Sequence, residues 1–191
     1  MKKYQSYDIG KIYKSPQTVF TVKDISLLWE ATQPKLVWAR INDYTKTKKL
    51  YFIRRGIYAK DKNYNKFELA TKIYTPSYIS LETVLAKEGI ISQYYETIFV
   101  ISYLTRKIEV EKQKIQIRKI KNEILLNSSG IIQKENYFIA TKERAFLDAL
   151  YLYKNYYCDN LDVLDKKKVF ALAKIYQNKQ LIKRVKTYFN A

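Results

Sequence analysis

Apolar residues recur along this chain with two periods, and the change of period divides it. Over residues 3–14, Tyr4, Tyr7, Ile9 and Ile12 fall at mixed helical spacing, and Ser15-Pro16 ends the pattern because proline disfavours helix at the residue before it. Phe20 reads as a short extended residue. It leads into Thr21-Val22-Lys23-Asp24, a capping box in which hydroxyl and carboxylate satisfy unpaired N–H groups of a new helix. Val22, Ile25, Leu28 and Trp29 form the stripe that this second helix buries. Thr32-Gln33-Pro34 opens a third helix reaching Thr47, with proline in the first turn, where its missing donor costs nothing. At about 100° per residue, Val37, Ile41 and Tyr44 share one face, and Lys35, Ala39, Asn42 and Lys46 share the opposite one, flanked by Trp38 and Asp43. Residues 50–53 and 57–60 are strand-like runs around Arg54-Arg55-Gly56, a hairpin with a cationic tip. Three short helices and this hairpin predict a winged helix-turn-helix over residues 1–62.

Residues 61–65, Asp-Lys-Asn-Tyr-Asn, lack either period and mark the boundary to a second domain over residues 63–191. A helix over 66–75 ends before Pro76, residues 77–79 are extended, and a short helix from Ser80 stops at Gly89, a C′ position. Residues 96–105 read as a strand, and 107–111 and 114–120 alternate polar with apolar, the period of half-buried strands. Residues 130–140 give another strand pair around Glu135-Asn136. Thr141 caps a largely buried helix that holds Arg144 and Asp148 four residues apart, and two last helices start at Asp165 and Asn178. Val169, Phe170, Ala173 and Tyr176, then Leu181, Ile182, Val185 and Phe189, are their apolar positions. The fold class expected is therefore α+β, with a small mixed sheet and C-terminal helices in the second domain.

Composition changes this picture little: 47% hydrophobic and 28% charged residues in 191 are a globular balance. No apolar run long enough to span a membrane is present, and Met1-Lys2-Lys3 leads into a polar segment, so a cytoplasmic location without a membrane partner is expected. One cysteine, Cys158, and no histidine exclude an intramolecular disulfide, Cys/His zinc sites and His-dependent catalytic triads. With only Gly10, Gly56, Gly89 and Gly130 there is neither a P-loop nor a dinucleotide fingerprint.

The net charge of +18 draws the chain toward polyanions, but part of it is compositional: 29 Lys, 22 Ile, 19 Tyr and 10 Asn are what an A+T-rich coding sequence supplies. Its distribution says more. Residues 1–62 carry +9, and residues 63–191 carry the same over twice the length. Over residues 35–62, Lys35, Arg40, Lys46, Lys48, Lys49, Arg54, Arg55, Lys60 and Lys62 face only Asp43 and Asp61. A recognition helix needs a polar outward face for the major groove, and a wing needs cations for the backbone. Asn42 is suited to an adenine edge, and Lys35, Arg40, Lys46, Lys48, Lys49, Arg54, Arg55 and Lys60 to phosphates. Trp38 reads either as a groove-edge contact or, preferentially, as packing against the hairpin.

Catalytic readings fare poorly. A nuclease-like Asp-x-Lys occurs at Asp165-Lys166-Lys167, but it reads as a helix cap with no second acid placed beside it. Arg144 and Asp148 fit an i,i+4 ion pair better than a functional pair. No catalytic residue, metal or cofactor is expected.

Three segments carry a resemblance to a known family: Tyr78-Ile79-Ser80-Leu81-Glu82-Thr83-Val84-Leu85-Ala86-Lys87-Glu88-Gly89-Ile90-Ile91, then Ile139-Ala140-Thr141-Lys142-Glu143-Arg144-Ala145-Phe146-Leu147-Asp148-Ala149-Leu150-Tyr151-Leu152, and the hairpin Arg54-Arg55-Gly56-Ile57-Tyr58-Ala59. Together they resemble the AbiEi family of abortive-infection antitoxins over residues 20–155. Members commonly have proline after the Thr-like cap, where this chain has Lys142. The resemblance implies a winged helix that represses its own operon at inverted repeats. It also implies a C-terminal antitoxin domain, with Thr141, Glu143, Arg144 and Asp148 as its motif, that counters a nucleotidyltransferase-like toxin directly or indirectly. The alternative is a stand-alone regulator whose second domain senses a ligand or dimerises.

Overall fold

The computed structural model describes residues 7–189 and divides into two compact units, residues 1–73 and 74–191. Among the described residues the first unit begins with α1 (Ile9–Lys14), whose N-terminus is capped by Asp8 accepting from the Gly10 N–H at 2.8 Å. The helix expected from residue 3 thus starts at Ile9, and residues 3–6 lie outside the described part. Next come β1 (Val19–Thr21), α2 (Val22–Leu28), α3 (Pro34–Lys46), β2 (Tyr51–Arg54), β3 (Ile57–Ala59) and α4 (Lys66–Lys72). The capping box forms as the sequence requires: the Asp24 N–H donates to Thr21 Oγ1 at 3.1 Å, and the Thr21 N–H donates back to Asp24 Oδ2 at 2.8 Å.

β1, β3 and β2 make an antiparallel sheet in that order, with Phe20 opposite Tyr58 and Phe52 opposite Tyr58 on the other side. Ile12, Phe20, Ile25, Trp29, Val37, Ile41, Leu50 and Tyr58 fill one core between the helices and this sheet. Trp29 buries its ring edge-on to Tyr7, with centroids 5.6 Å apart, and its indole N–H donates to the Asp8 carbonyl at 2.9 Å. The first unit closes at Ile73, not at residue 62, because α4 is tied back to the start of the sheet. Buried Glu68 accepts from the Thr18 N–H at 2.9 Å and from its hydroxyl at 2.7 Å, and Lys72 Nζ meets Asp24 Oδ2 at 2.8 Å.

The second unit contains β4 (Ser77–Ile79), α5 (Glu82–Lys87), β5 (Ile98–Ser102), β6 (Arg106–Val110), β7 (Gln113–Lys119), α6 (Asn122–Leu125), β8 (Ile131–Lys134) and β9 (Tyr137–Ala140). There follow α7 (Lys142–Leu152), α8 (Lys166–Ala173), a 3-10 turn (Lys174–Tyr176) and α9 (Lys179–Tyr188). Its sheet runs β6-β7-β5-β4-β9-β8 and is mixed: β5 pairs parallel with β7, β4 parallel with β9, and the other neighbours antiparallel. The molecule is thus α+β, as expected. The helix over Lys142–Leu152 is more deeply placed than its sequence suggests, since eight consecutive residues from Glu143 to Leu150 are buried against β9, α5, α8 and α9. No helix among the described residues is long and apolar enough to cross a membrane.

Candidate nucleic-acid interface

Val37 and Ile41 anchor α3 in the core of the first unit, so helical geometry turns the opposite stripe outward. Lys35, Ala39, Asn42 and Lys46 are all exposed there, in the arrangement the spacing predicts. Arg40 is exposed but sits to one side: it pairs with Asp43 at 3.6 Å, lies 5.7 Å from the Tyr44 ring centroid, and lines a flank cleft with Tyr7, Leu36 and Ala39. Trp38 does not bury itself: 41% of its surface is accessible, which answers the packing preference read from sequence.

Lys48 and Lys49 follow the helix in a turn that points both outward. The N–H groups of Lys49 and Leu50 both return to the Tyr44 carbonyl, at 2.8 and 3.1 Å, while Lys48 takes a left-handed φ of 57°. The Tyr13 hydroxyl, donating to the Lys49 carbonyl at 2.5 Å, holds this turn against α1. A lysine at a position that favours glycine separates stability from charge. Lys48→Gly is expected to raise stability by about 0.5–1 kcal/mol in urea unfolding while removing one exposed cation. Equal or lower stability would show that the turn is not strained.

The tip between β2 and β3 carries Arg54, half-buried, and Arg55, exposed, ahead of Gly56 at φ 79°. The register shift between Phe52 and Arg54 lets the two arginines occupy a tip that closes on Ile57. Lys60 has a different occupation from the one its sequence position suggests. Its ammonium donates to the Ser15 carbonyl, so it fastens the end of β3 to the loop after α1. Sequence reasoning missed Phe52, 49% exposed on β2 and edge-on to Tyr58 with centroids 5.8 Å apart. Its alternation with buried Ile53 is the signal that identifies it.

Of the four motif residues of the second unit, Glu143, Arg144 and Asp148 are buried and Thr141 is half-buried at the start of α7. Thr141 caps α7 by accepting from the Arg144 N–H at 3.3 Å, and buried Glu143 accepts from the Asp165 N–H at 3.4 Å. Arg144 and Asp148 are both fully buried, with Nε and Oδ1 3.4 Å apart. The guanidinium donates to the carbonyls of Ile124 at 2.7 Å and Ser129 at 2.9 Å and to the Tyr78 hydroxyl at 3.2 Å. Asp148 accepts from the hydroxyls of Tyr176 at 2.6 Å, Ser80 at 2.8 Å and Tyr78 at 3.1 Å. Burial raises the Asp148 pKa against the opposing pull of Arg144 and the three hydroxyls. Burial disfavours the charged guanidinium too, but Tyr176, Asp148 and Tyr78 outweigh it and raise the Arg144 pKa. This arrangement binds α6, β4, α7 and the 3-10 turn to one another. It presents none of its charge to a partner.

Asp165 caps α8 through the Lys168 N–H at 3.1 Å, the role its spacing indicates. Among the described residues no group of three or more Cys, Asp or Glu is placed to hold a metal ion. Compared with known proteins, the chain matches no family model and no curated protein.

Proposed function

We propose that the first unit is a winged helix-turn-helix that binds double-stranded DNA, with α3 in the major groove and the β2–β3 tip on the backbone. The observation that carries this reading is the outward stripe of α3. Lys35, Asn42 and Lys46 are exposed around Ala39, whose small side chain permits close approach, and Arg55 is exposed on the hairpin of the same unit. Lys48 and Lys49 extend the basic surface beyond the helix end. Asn42 has the donor and acceptor pair that reads an adenine edge, whereas the lysines carry no base preference.

These roles separate experimentally. Lys46→Ala is expected to weaken binding to all duplexes alike and to reduce the salt slope by about 1, while Asn42→Ala reduces discrimination between sequences with little change of slope. Equal effects of the two changes on slope and discrimination would contradict the assignment of α3 to the groove.

The resemblance to the AbiEi antitoxins supports a fuller reading: a non-enzymatic autorepressor acting at inverted repeats, whose second unit counteracts a nucleotidyltransferase-like toxin. Since Glu143, Arg144 and Asp148 are buried and Thr141 is engaged in capping α7, such a role would use other surfaces of that unit. Co-expression with a neighbouring nucleotidyltransferase-like gene tests this half. Growth rescue that survives loss of DNA binding supports antitoxin action, and rescue that disappears with DNA binding reduces it to repression.

A further inference from the structure

α8, the 3-10 turn after it and α9 expose Lys166, Lys167, Lys168, Lys174, Lys179, Lys183 and Lys186, a second concentration of positive charge outside the DNA-binding reading. The first three occupy the opening turn of α8, which contains no acidic residue. Helix N-termini carry partial positive charge and favour acids, so three lysines there oppose the local preference. Asp165 offsets one of them, lying 3.6 Å from Lys168. Lys167 and Lys174 form no ion pair among the described residues. Lys166 donates to the Phe189 carbonyl at 3.3 Å, whereas Lys167 and Lys174 bring no such structural return, which marks them as positions kept for another purpose.

The geometry beside them is specific. Lys166, Lys167, Phe170 and Ala171 on one face of α8, with Lys174 just past its C-terminal end, line an open groove of about 650 Å³. Val169 and Ala173 carry the buried side of α8, and half-buried Phe170 meets the core through Phe189, which packs on buried Phe146, so Lys167, Ala171 and Lys174 remain on the open side. Phe170 lies 6.2 Å from Phe189, over whose ring Lys166 Nζ sits at 5.9 Å. The lining is therefore apolar at its centre and cationic at both ends. A nucleic-acid backbone would engage the lysines alone and leave Phe170 and Ala171 without apolar contacts. An amphipathic acidic segment complements both features, apolar side chains on the centre and carboxylates against the lysines.

We propose that this face of α8 is a docking site for an acidic amphipathic helix of a partner protein. The site is distinct from the DNA-binding face and stands whether or not that face binds DNA.

The probe is a fluorescein-labelled acidic peptide of about 16 residues with leucines at helical i, i+3, i+4 and i+7 spacing, compared with its scrambled form. Binding to the full-length protein is read by fluorescence anisotropy. The amphipathic peptide is expected to bind at least about tenfold more tightly than the scrambled one, and Lys166→Glu, Lys167→Glu and Lys174→Glu combined to weaken it at least about tenfold. Lys35→Glu and Lys46→Glu on α3 should leave it unchanged. Lys167→Glu alone places an acid in the first turn of α8, so its melting temperature is expected to hold or rise while binding falls, a divergence that loss of folding cannot produce. Equal binding of the two peptides, or insensitivity to the α8 reversals, overturns the proposal. So does a single-stranded RNA probe that binds this face and displaces the peptide while remaining indifferent to Phe170→Ser.

Discussion

Replacing Arg144 by methionine is expected to lower the stability of the protein by about 3–5 kcal/mol, measured as a shift of the urea midpoint at unchanged slope. The pair it forms with Asp148 has no access to solvent, so the substitution leaves a buried carboxylate without its counter-charge and the Ile124 and Ser129 carbonyls without their donor. An exposed pair at the same spacing would contribute less than about 1 kcal/mol. The loss is expected to shrink as pH falls. Burial already places the Asp148 pKa above its unfolded value, and removing Arg144 raises it further. The folded state then holds its proton more tightly than the unfolded one, giving stability that is full below the unfolded pKa and is lost as pH rises through the folded one. Replacing Asp148 by leucine as well should recover part of the loss. A deficit below about 1 kcal/mol for the single change would show that the network is not what holds α6, α7 and β4 together.

Gly130→Ala is the second large effect, expected at about 2–4 kcal/mol. Gly130 has φ 74°, and an added Cβ would stand 2.9 Å from Arg144 Cβ and 3.1 Å from Leu172 Cδ1. Strain of the left-handed backbone and overcrowding of a well-packed site therefore add. Because Thr141 N–H also donates to the Gly130 carbonyl at 2.8 Å, displacement there carries into the cap of α7. Gly56→Ala isolates the backbone contribution, since Gly56 has φ 79° and nothing within 4 Å of the added atom; a loss of about 1 kcal/mol is expected. Equal losses at the two glycines in urea unfolding would mean that the contact with Arg144 is readily relieved.

Local chemistry was legible wherever it was encoded locally. The Thr21–Asp24 box, the proline opening α3, the Arg54-Arg55-Gly56 tip and the alternation in β6 and β7 all occupy the elements their spacing predicts. Three-residue β1 has no measurable period, so its union with β3 was invisible. Nor could the order β7-β5-β4-β9 be read, because its parallel pairings join segments separated by crossovers. The boundary was set too early because residues 61–65 look like a linker, whereas Glu68 and Lys72 reach back to Thr18 and Asp24. On the candidate binding face, spacing located the exposed stripe of α3 but not the capture of Lys60 by the Ser15 carbonyl, which depends on a long-range approach. The four-residue spacing of Arg144 and Asp148 announced a pair, and only the packing of α5, α8 and α9 around α7 showed its depth.

Titration of the full-length protein against a labelled duplex over a range of salt concentrations decides whether the basic face of the first unit binds duplex DNA. With about five cations of α3, the turn after it and the hairpin meeting phosphates, log K is expected to fall against log salt with a slope of about −4 to −5. A slope near zero, or one unchanged by Arg54→Ala and Arg55→Ala together, would contradict that binding.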